Sequence, residues 1–209
     1  MKIKATLSQE TSAGKPTLVC PQCGNTGTFD ELGKDLKINN EYSCGQRRCP
    51  SSSCRGHVFV VFDKRNAVAT YPPVRLTFDS ENVPASVKES LEEAIDCHSA
   101  HAFIAAAIML RRTLEKICDD RGATGNNLKA RIKDLESKIV LPRELIDAMD
   151  ELRLLGNDAA HIEARTFAEI SEQELAVAFE FTKEIIKGLY QYSSLLERLR
   201  SLKASDAKG

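Results

Sequence analysis

Two short cysteine motifs constrain this chain most: Cys20-Pro-Gln-Cys23-Gly and, farther on, Cys49-Pro-Ser-Ser-Ser-Cys54. Two thiolates separated by two residues can grip one ion when the turn between them aims backbone N–H groups at the sulfurs. Gly24 allows the positive φ that such a turn needs. A redox CxxC pair expects no second pair, but Cys44, Cys49 and Cys54 all follow. One of the three is surplus. The preferred second pair is Cys49/Cys54, because it repeats the Cys-Pro opening and Arg55-Gly56 leads straight into the apolar run HVFVVF (57–62). The rival pair Cys44/Cys49 has the same gap, so Cys44 remains an alternative ligand and His57 a substitute for one thiolate. The expectation is one structural Zn²⁺ held by Cys20, Cys23, Cys49 and Cys54, with no open position for water or substrate. Cys97 and Cys118 fall in helical stretches and read as buried thiols.

The same motifs divide the chain. Residues 1–80 contain five of the seven cysteines, turn pairs (Gly24-Asn25, Asn39-Asn40) and the strand-like HVFVVF, and then break at Tyr71-Pro72-Pro73. They are expected to form a zinc ribbon with flanking strands. From Pro84 the hydrophobic period changes from two to about 3.6. A polar-rich helix follows Pro84. Next, Phe103, Ala107, Leu110, Leu114 and Ile117 mark an apolar stripe, ended by GATGNN (122–127). Leu128 to Ile139 make a third helix, and Pro142 opens a fourth along Leu145, Met149 and Leu152. A break is expected at Gly156-Asn157. Ser171-x-x-Glu174 then resembles a capping box that starts a long helix through Leu196. The expected fold class is mainly α: a five-helix bundle over 81–200 after a small β-rich ribbon, with a polar tail at 201–209.

Charge sets weak limits on partners. Residues 1–80 carry net +4 and residues 81–209 net −5, and four thiolates on zinc would lower the first figure. The N-terminus MKIKATLSQE has no apolar core, and the longest apolar run, FIAAAIML (103–110), is too short to span a bilayer. A soluble, cytoplasmic protein with no membrane contact is expected.

LEEAIDC, AAIMLRRTLEKIC and LPRELIDAMDELRLLGNDAAH, preceded by Pro84 and the CPxC motif, resemble a bacterial family of helical domains long labelled a domain of unknown function. That family is commonly preceded by a zinc ribbon and counted among relatives of the HEPN superfamily, which includes toxin-like ribonucleases and RNA-binding proteins. The strongest signatures are Arg112-x-Leu114-Glu115 and Arg153-x-x-Gly156-Asn157-x-x-Ala160-His161. The resemblance implies a HEPN-like bundle, a homodimer, and a setting in bacterial antiviral defence or nucleic-acid processing with a protein partner from such a system. For a metal-independent endoribonuclease it implies His161 as proton-transfer group and Arg153 as phosphate stabiliser, with Asn157 beside them.

His161 follows Arg153 at eight positions, longer than the ribonuclease pattern. On one continuous helix that is about 12 Å of rise and about 80° of rotation, too far for both to touch one phosphate. Structural alternatives are a packed His161, an ion pair of Arg153 with Glu115 or Glu151, and a salt bridge between Arg112 and Glu115. His98 and His101 share a helical face near Cys97 but lack a carboxylate for a metal site. The basic patches are Arg47, Arg48 and Arg55 on the ribbon and Arg111-Arg112 on the bundle, with Tyr42 and Phe59 near the first. The preferred function is therefore a non-catalytic protein that binds nucleic acid, RNA before DNA, or a partner, with Arg47, Arg48, Arg55 and Arg112 as nucleic-acid contacts. The alternatives are the endoribonuclease and a purely structural dimerisation module built on the stripe over 175–199.

Overall fold

Short polar turns lay out the strands of the first unit, Met1–Thr77; the second unit is Phe78–Gly209. The computed structural model describes residues 3–6, 8–160 and 170–206. Strands β1 (Gln9–Thr11), β4 (Asp30–Lys37), β5 (Tyr42–Arg48), β6 (His57–Asp63) and β7 (Asn66–Tyr71) form one antiparallel sheet in the order β1-β4-β5-β6-β7. Strands β2 (Thr17–Val19) and β3 (Thr26–Thr28) form a separate hairpin. Asn39 builds the β4–β5 turn by accepting the N–H groups of Glu41 and Tyr42 on its side-chain oxygen at 2.9 and 2.8 Å. Gly33, at φ 78°, sits where the β4–β5 register shifts, and so serves the bulge there.

One sheet face is buried, and its composition is unusual. β6 contributes Val58, Val60 and Phe62, packed with Phe29, Cys20 and Cys49. Opposite them β5 contributes Ser43, Gly45 and Arg47. Arg47 is fully buried, and its guanidinium donates to both oxygens of the equally buried Asp35 on β4 at 2.7 Å each. Asp35 also accepts the Ala13 N–H at 2.7 Å, and Arg47 donates to the Gly14 carbonyl at 3.1 Å and lies 4.8 Å over the Phe62 ring. Gly45 must stay small: a Cβ there would stand 1.6 Å from an Asp35 carboxylate oxygen.

These strands correct the expected fold class. Helix still outweighs strand, but the N-terminal part is no small ribbon: seven strands among the described residues, five of them in one antiparallel sheet, make the first unit a sheet domain in its own right. The excess is in β4 (DELGKDLK) and β5 (YSCGQRR), whose buried positions are Asp, Ser, Gly and Arg and so give no apolar alternation.

In the second unit, α1 (Ala85–Ser99), α2 (Phe103–Asp120), α3 (Leu128–Glu136), α4 (Arg143–Ala160) and α5 (Glu172–Ile186) pack around α2. A π-helical turn (Lys187–Gln191) joins α5 without interruption to α6 (Tyr192–Asp206), which therefore continues past the expected limit at residue 201. Asn127 caps α3 through the Ala130 N–H, and Ser171 and Glu174 form a reciprocal capping box on α5. Ala106, Leu110, Leu114 and Ile117 of α2 are buried, as are Leu91 of α1, Met149 of α4, and Leu175 and Phe179 of α5. His98 is packed at its ring between Phe103 and Phe179, centroids 5.9 and 5.3 Å away, and burial holds its pKa below the usual histidine value. It is a half-buried ring packed against aromatic neighbours, and among the described residues it belongs to no cluster of metal-ligating groups.

The expected break at Gly156-Asn157 is also corrected. α4 runs unbroken through both residues to Ala160. Gly156 is there for the helix crossing: a Cβ would lie 2.4 Å from the Arg111 Cβ and 3.0 Å from the Ala107 carbonyl oxygen. The glycine lets α4 and α2 approach.

Arg47→Met leaves Asp35 buried without its cation and should destabilise the protein by about 3–5 kcal/mol. Pairing it with Asp35→Leu should recover much of that loss. Urea unfolding of the three proteins tests the clamp; a single variant as stable as wild type removes its role. Burial by itself would raise the Asp35 pKa, but the bonds from Arg47 and Ala13 outweigh it and hold it below the usual value. A depressed folded pKa means that this stabilisation is full above the unfolded aspartate pKa of about 3.9 and is lost as pH falls through the folded value. The same unfolding measured from neutral to acid pH should show the wild type's advantage over the double variant shrinking in that window.

Candidate metal centre

Two matching turns create the centre. The first, Cys20 to Asn25, lies between β2 and β3: the Gly24 N–H donates to the Cys20 carbonyl at 2.9 Å, with Gly24 at φ 73°. The second, Cys49 to Gly56, lies between β5 and β6: the Arg55 N–H donates to the Ser51 carbonyl at 2.9 Å, and Arg55 takes the corresponding positive φ, 49°. The turns interlock through small residues. A Cβ on Gly27 would meet Pro50 of the second turn at 2.7 Å, and one on Gly56 would meet Gln22 of the first at 2.0 Å. Gln22 closes the crossing by donating to the His57 carbonyl at 3.2 Å.

The crossing brings four sulfurs within 4.8 Å of one another: Cys20, Cys23, Cys49 and Cys54. Cys20 and Cys54 are 3.8 Å apart, Cys23 and Cys49 3.9 Å. A tetrahedron of sulfurs at about 2.3 Å from a central ion has edges of about 3.8 Å, so the residues present fit a four-thiolate ion. Their backbone supports that charge: Cys20 accepts the Gln22 and Cys23 N–H groups, Cys49 that of Ser51 and Cys54 that of Gly56. Burial works against Cys20, but these donors outweigh it and hold its pKa below the usual thiol value. Burial pushes Cys49 up to about 12, and the neighbouring Cys20 and Cys23 add to the rise. Four thiolates therefore need a cation at their centre.

The remaining cysteines stand elsewhere. Cys44 faces Leu36 and Val61 across its neighbouring strands and is outside the sulfur cluster, so it is no longer an alternative ligand. The His57 ring is engaged at 3.0 Å by the Gln46 amide. Cys118 is buried in α2, which raises its pKa to about 11.

The expected nucleic-acid contacts separate. Arg47 is removed by the structure, since its guanidinium is sealed against Asp35. Arg48 reaches Asp30 at 3.7 Å and remains partly exposed, and Arg55 and Arg112 are exposed. The sheet face opposite the core carries Gln46, Arg48, His57, Phe59 and Tyr71. Phe59 and Tyr71 are cross-strand partners, 52% and 77% exposed. Tyr71, read from sequence only as part of a break, is the residue that sequence reasoning missed; its alternation with Ala69 along β7 was the available signal.

In the helical unit, Arg153 pairs with Asp150 at 2.6 Å instead of Glu115 or Glu151. Asn157 accepts a hydrogen bond from Arg111, which also pairs with Glu115 at 3.3 Å. Arg112 does not share that pair. His161 lies outside the described residues. The segment thus joins α4 to α2 through Arg111, Asn157 and Gly156.

Residues 92–203 match the family described as Domain of unknown function (DUF4145), and the chain belongs to it. That match carries neither the HEPN relationship nor a zinc-ribbon assignment. No curated protein and no solved structure matches the chain. No helix among the described residues is long and apolar enough to cross a membrane.

Elemental analysis of gently purified protein should find one metal ion per chain. Cys49→Ser should lose it and unfold the first unit, because Cys49 is both ligand and core residue. Cys44→Ser should keep it. Metal retained in the first variant, or lost in the second, would mean that the ligands are other than these four.

Proposed function

We propose that this is a non-enzymatic binding protein whose sheet unit, held by one structural Zn²⁺, receives single-stranded nucleic acid on its open face. Zinc is the ion that a closed tetrahedral set of four thiolates suits, and four protein ligands leave it no position for substrate. The observation that carries the binding reading is the exposed cross-strand pair Phe59 and Tyr71. Bases stack on such rings whatever their identity, and the neighbouring Gln46, His57 and Arg48 offer polar and cationic contacts at the margin. A role as accessory component of a bacterial defence or nucleic-acid-processing system agrees with the sequence resemblance. RNA is the preferred strand on the same ground.

Fluorescence anisotropy with labelled single-stranded RNA and DNA of about ten nucleotides tests the reading. Phe59→Ala or Tyr71→Ala should weaken binding by about 5- to 150-fold, the effect of losing one stacked base. Affinity should fall with salt at a shallow slope, since few cations border the face. No binding of either strand, or variants that bind like wild type, would rule out this face.

A further inference from the structure

The helical unit carries two surfaces that the sheet's role does not use. One is a groove of about 530 Å³ between α4 and α5. Its floor is Ala148, Leu152, Leu155 and Ala178, and its edge Val177 and Phe181, which are 55% and 40% exposed. Acids stand along it: Glu144, Asp147, Glu151 and Glu174. Asp147 is paired with Arg143 and Glu174 serves the α5 cap, but Glu144 and Glu151 have no partner among the described residues. The other surface is α6. Tyr192, Leu195, Leu196 and Leu199 recur at helical spacing, each about half exposed, and Arg198 and Arg200 project beside them without a partner among the described residues. An apolar groove with an acidic rim and an apolar helix stripe with basic neighbours are complementary.

They cannot meet within one chain. The groove is built partly on α5, and α6 is the uninterrupted continuation of α5 through the π turn. Eleven positions along the helix, about 16 Å, separate Phe181 from Tyr192, and one continuous rod cannot lie alongside itself. Val177 and Leu196 are 19 residues apart, and because the π turn between them winds more slowly than α-helix they stand about five whole turns apart. Val177 at the groove edge and Leu196 of the stripe therefore lie along one side of the long helix.

We infer that the occupant of the groove is α6 of a second copy of this chain, exchanged reciprocally in an antiparallel two-fold dimer. If Leu196 of each copy lies over Val177 of the other, the axis falls at the midpoint, Ile186–Lys187. In that register Arg198 and Arg200 reach the acids Glu174 and Glu151. Val140 is at the same level, since its neighbour Leu141 packs against Gly188. It is 97% exposed, and the axis supplies a reason: the two copies of Val140 would cover one another. One contact repeated by symmetry would bury both apolar surfaces and pair both sets of charges.

Sedimentation velocity on the full chain at micromolar concentration tests this. Wild type should be a dimer. Leu195→Glu with Leu199→Glu should be a monomer of unchanged circular dichroism, because both side chains are on the surface of the single copy. Glu151→Lys and Arg198→Glu should each weaken the dimer about tenfold, and together restore it, because the swapped charges meet again. A monomeric wild type would overturn the inference. So would a dimer that persists in the leucine variant, or charge changes whose effects add without restoration.

Discussion

Four sulfurs within one ion's reach form the constraint that the rest of the first unit depends on. Among the described residues, the β2–β3 hairpin makes no strand ladder with the five-stranded sheet. Its firm attachments are the crossing of the two cysteine turns and the core around Phe29. Two of the four clustered cysteines, Cys20 and Cys49, are themselves part of that core. Binding of an ion by these sulfurs would therefore be one event with closure of the core, the free energy of the first contributing to the second. The interlocking glycines show how tight that closure is: Gly27 and Gly56 each leave room for a side chain of the opposite turn.

The Asp35–Arg47 pair performs a related task on the sheet's inner face. A sheet whose inner side presents serine, glycine and arginine on one strand cannot depend on apolar burial alone. Each charge has a fixed counterpart and backbone partners from Ala13, Gly14 and Gln46, so neither is left uncompensated. On the outer face the rules reverse, and aromatic and apolar groups stand in the open. The usual inside and outside compositions are partly exchanged across this sheet.

That exchange explains what could be read from sequence. The cluster of Cys20, Cys23, Cys49 and Cys54, the strand HVFVVF, the capping box and the apolar stripe on α2 were legible, because each rests on local spacing. β4 and β5 were not, since their inward positions are polar, and Arg47 looked like an exposed cation for the same reason. Gly156-Asn157 resembled a stop because glycine usually disfavours helix. Only the neighbouring helix, with Arg111 pressed against that glycine, reveals why the residue is small. The Arg153–Asn157 segment kept its polar residues but uses them on Asp150 and Arg111 within the helix pair.

The clamp also decides how the sheet is aligned. A strand with alternating apolar residues is held in register by its pattern, since a slip of one residue turns its apolar side to water. Strand β5 lacks that safeguard. Its alignment against β4 rests instead on one geometric coincidence: Arg47 must reach Asp35, and Gly45 must leave space for the carboxylate. Positions 35 and 47 are therefore a single unit of variation: a change at one is tolerated only when the other changes with it, and Gly45 must stay small as long as the Asp35 carboxylate is there.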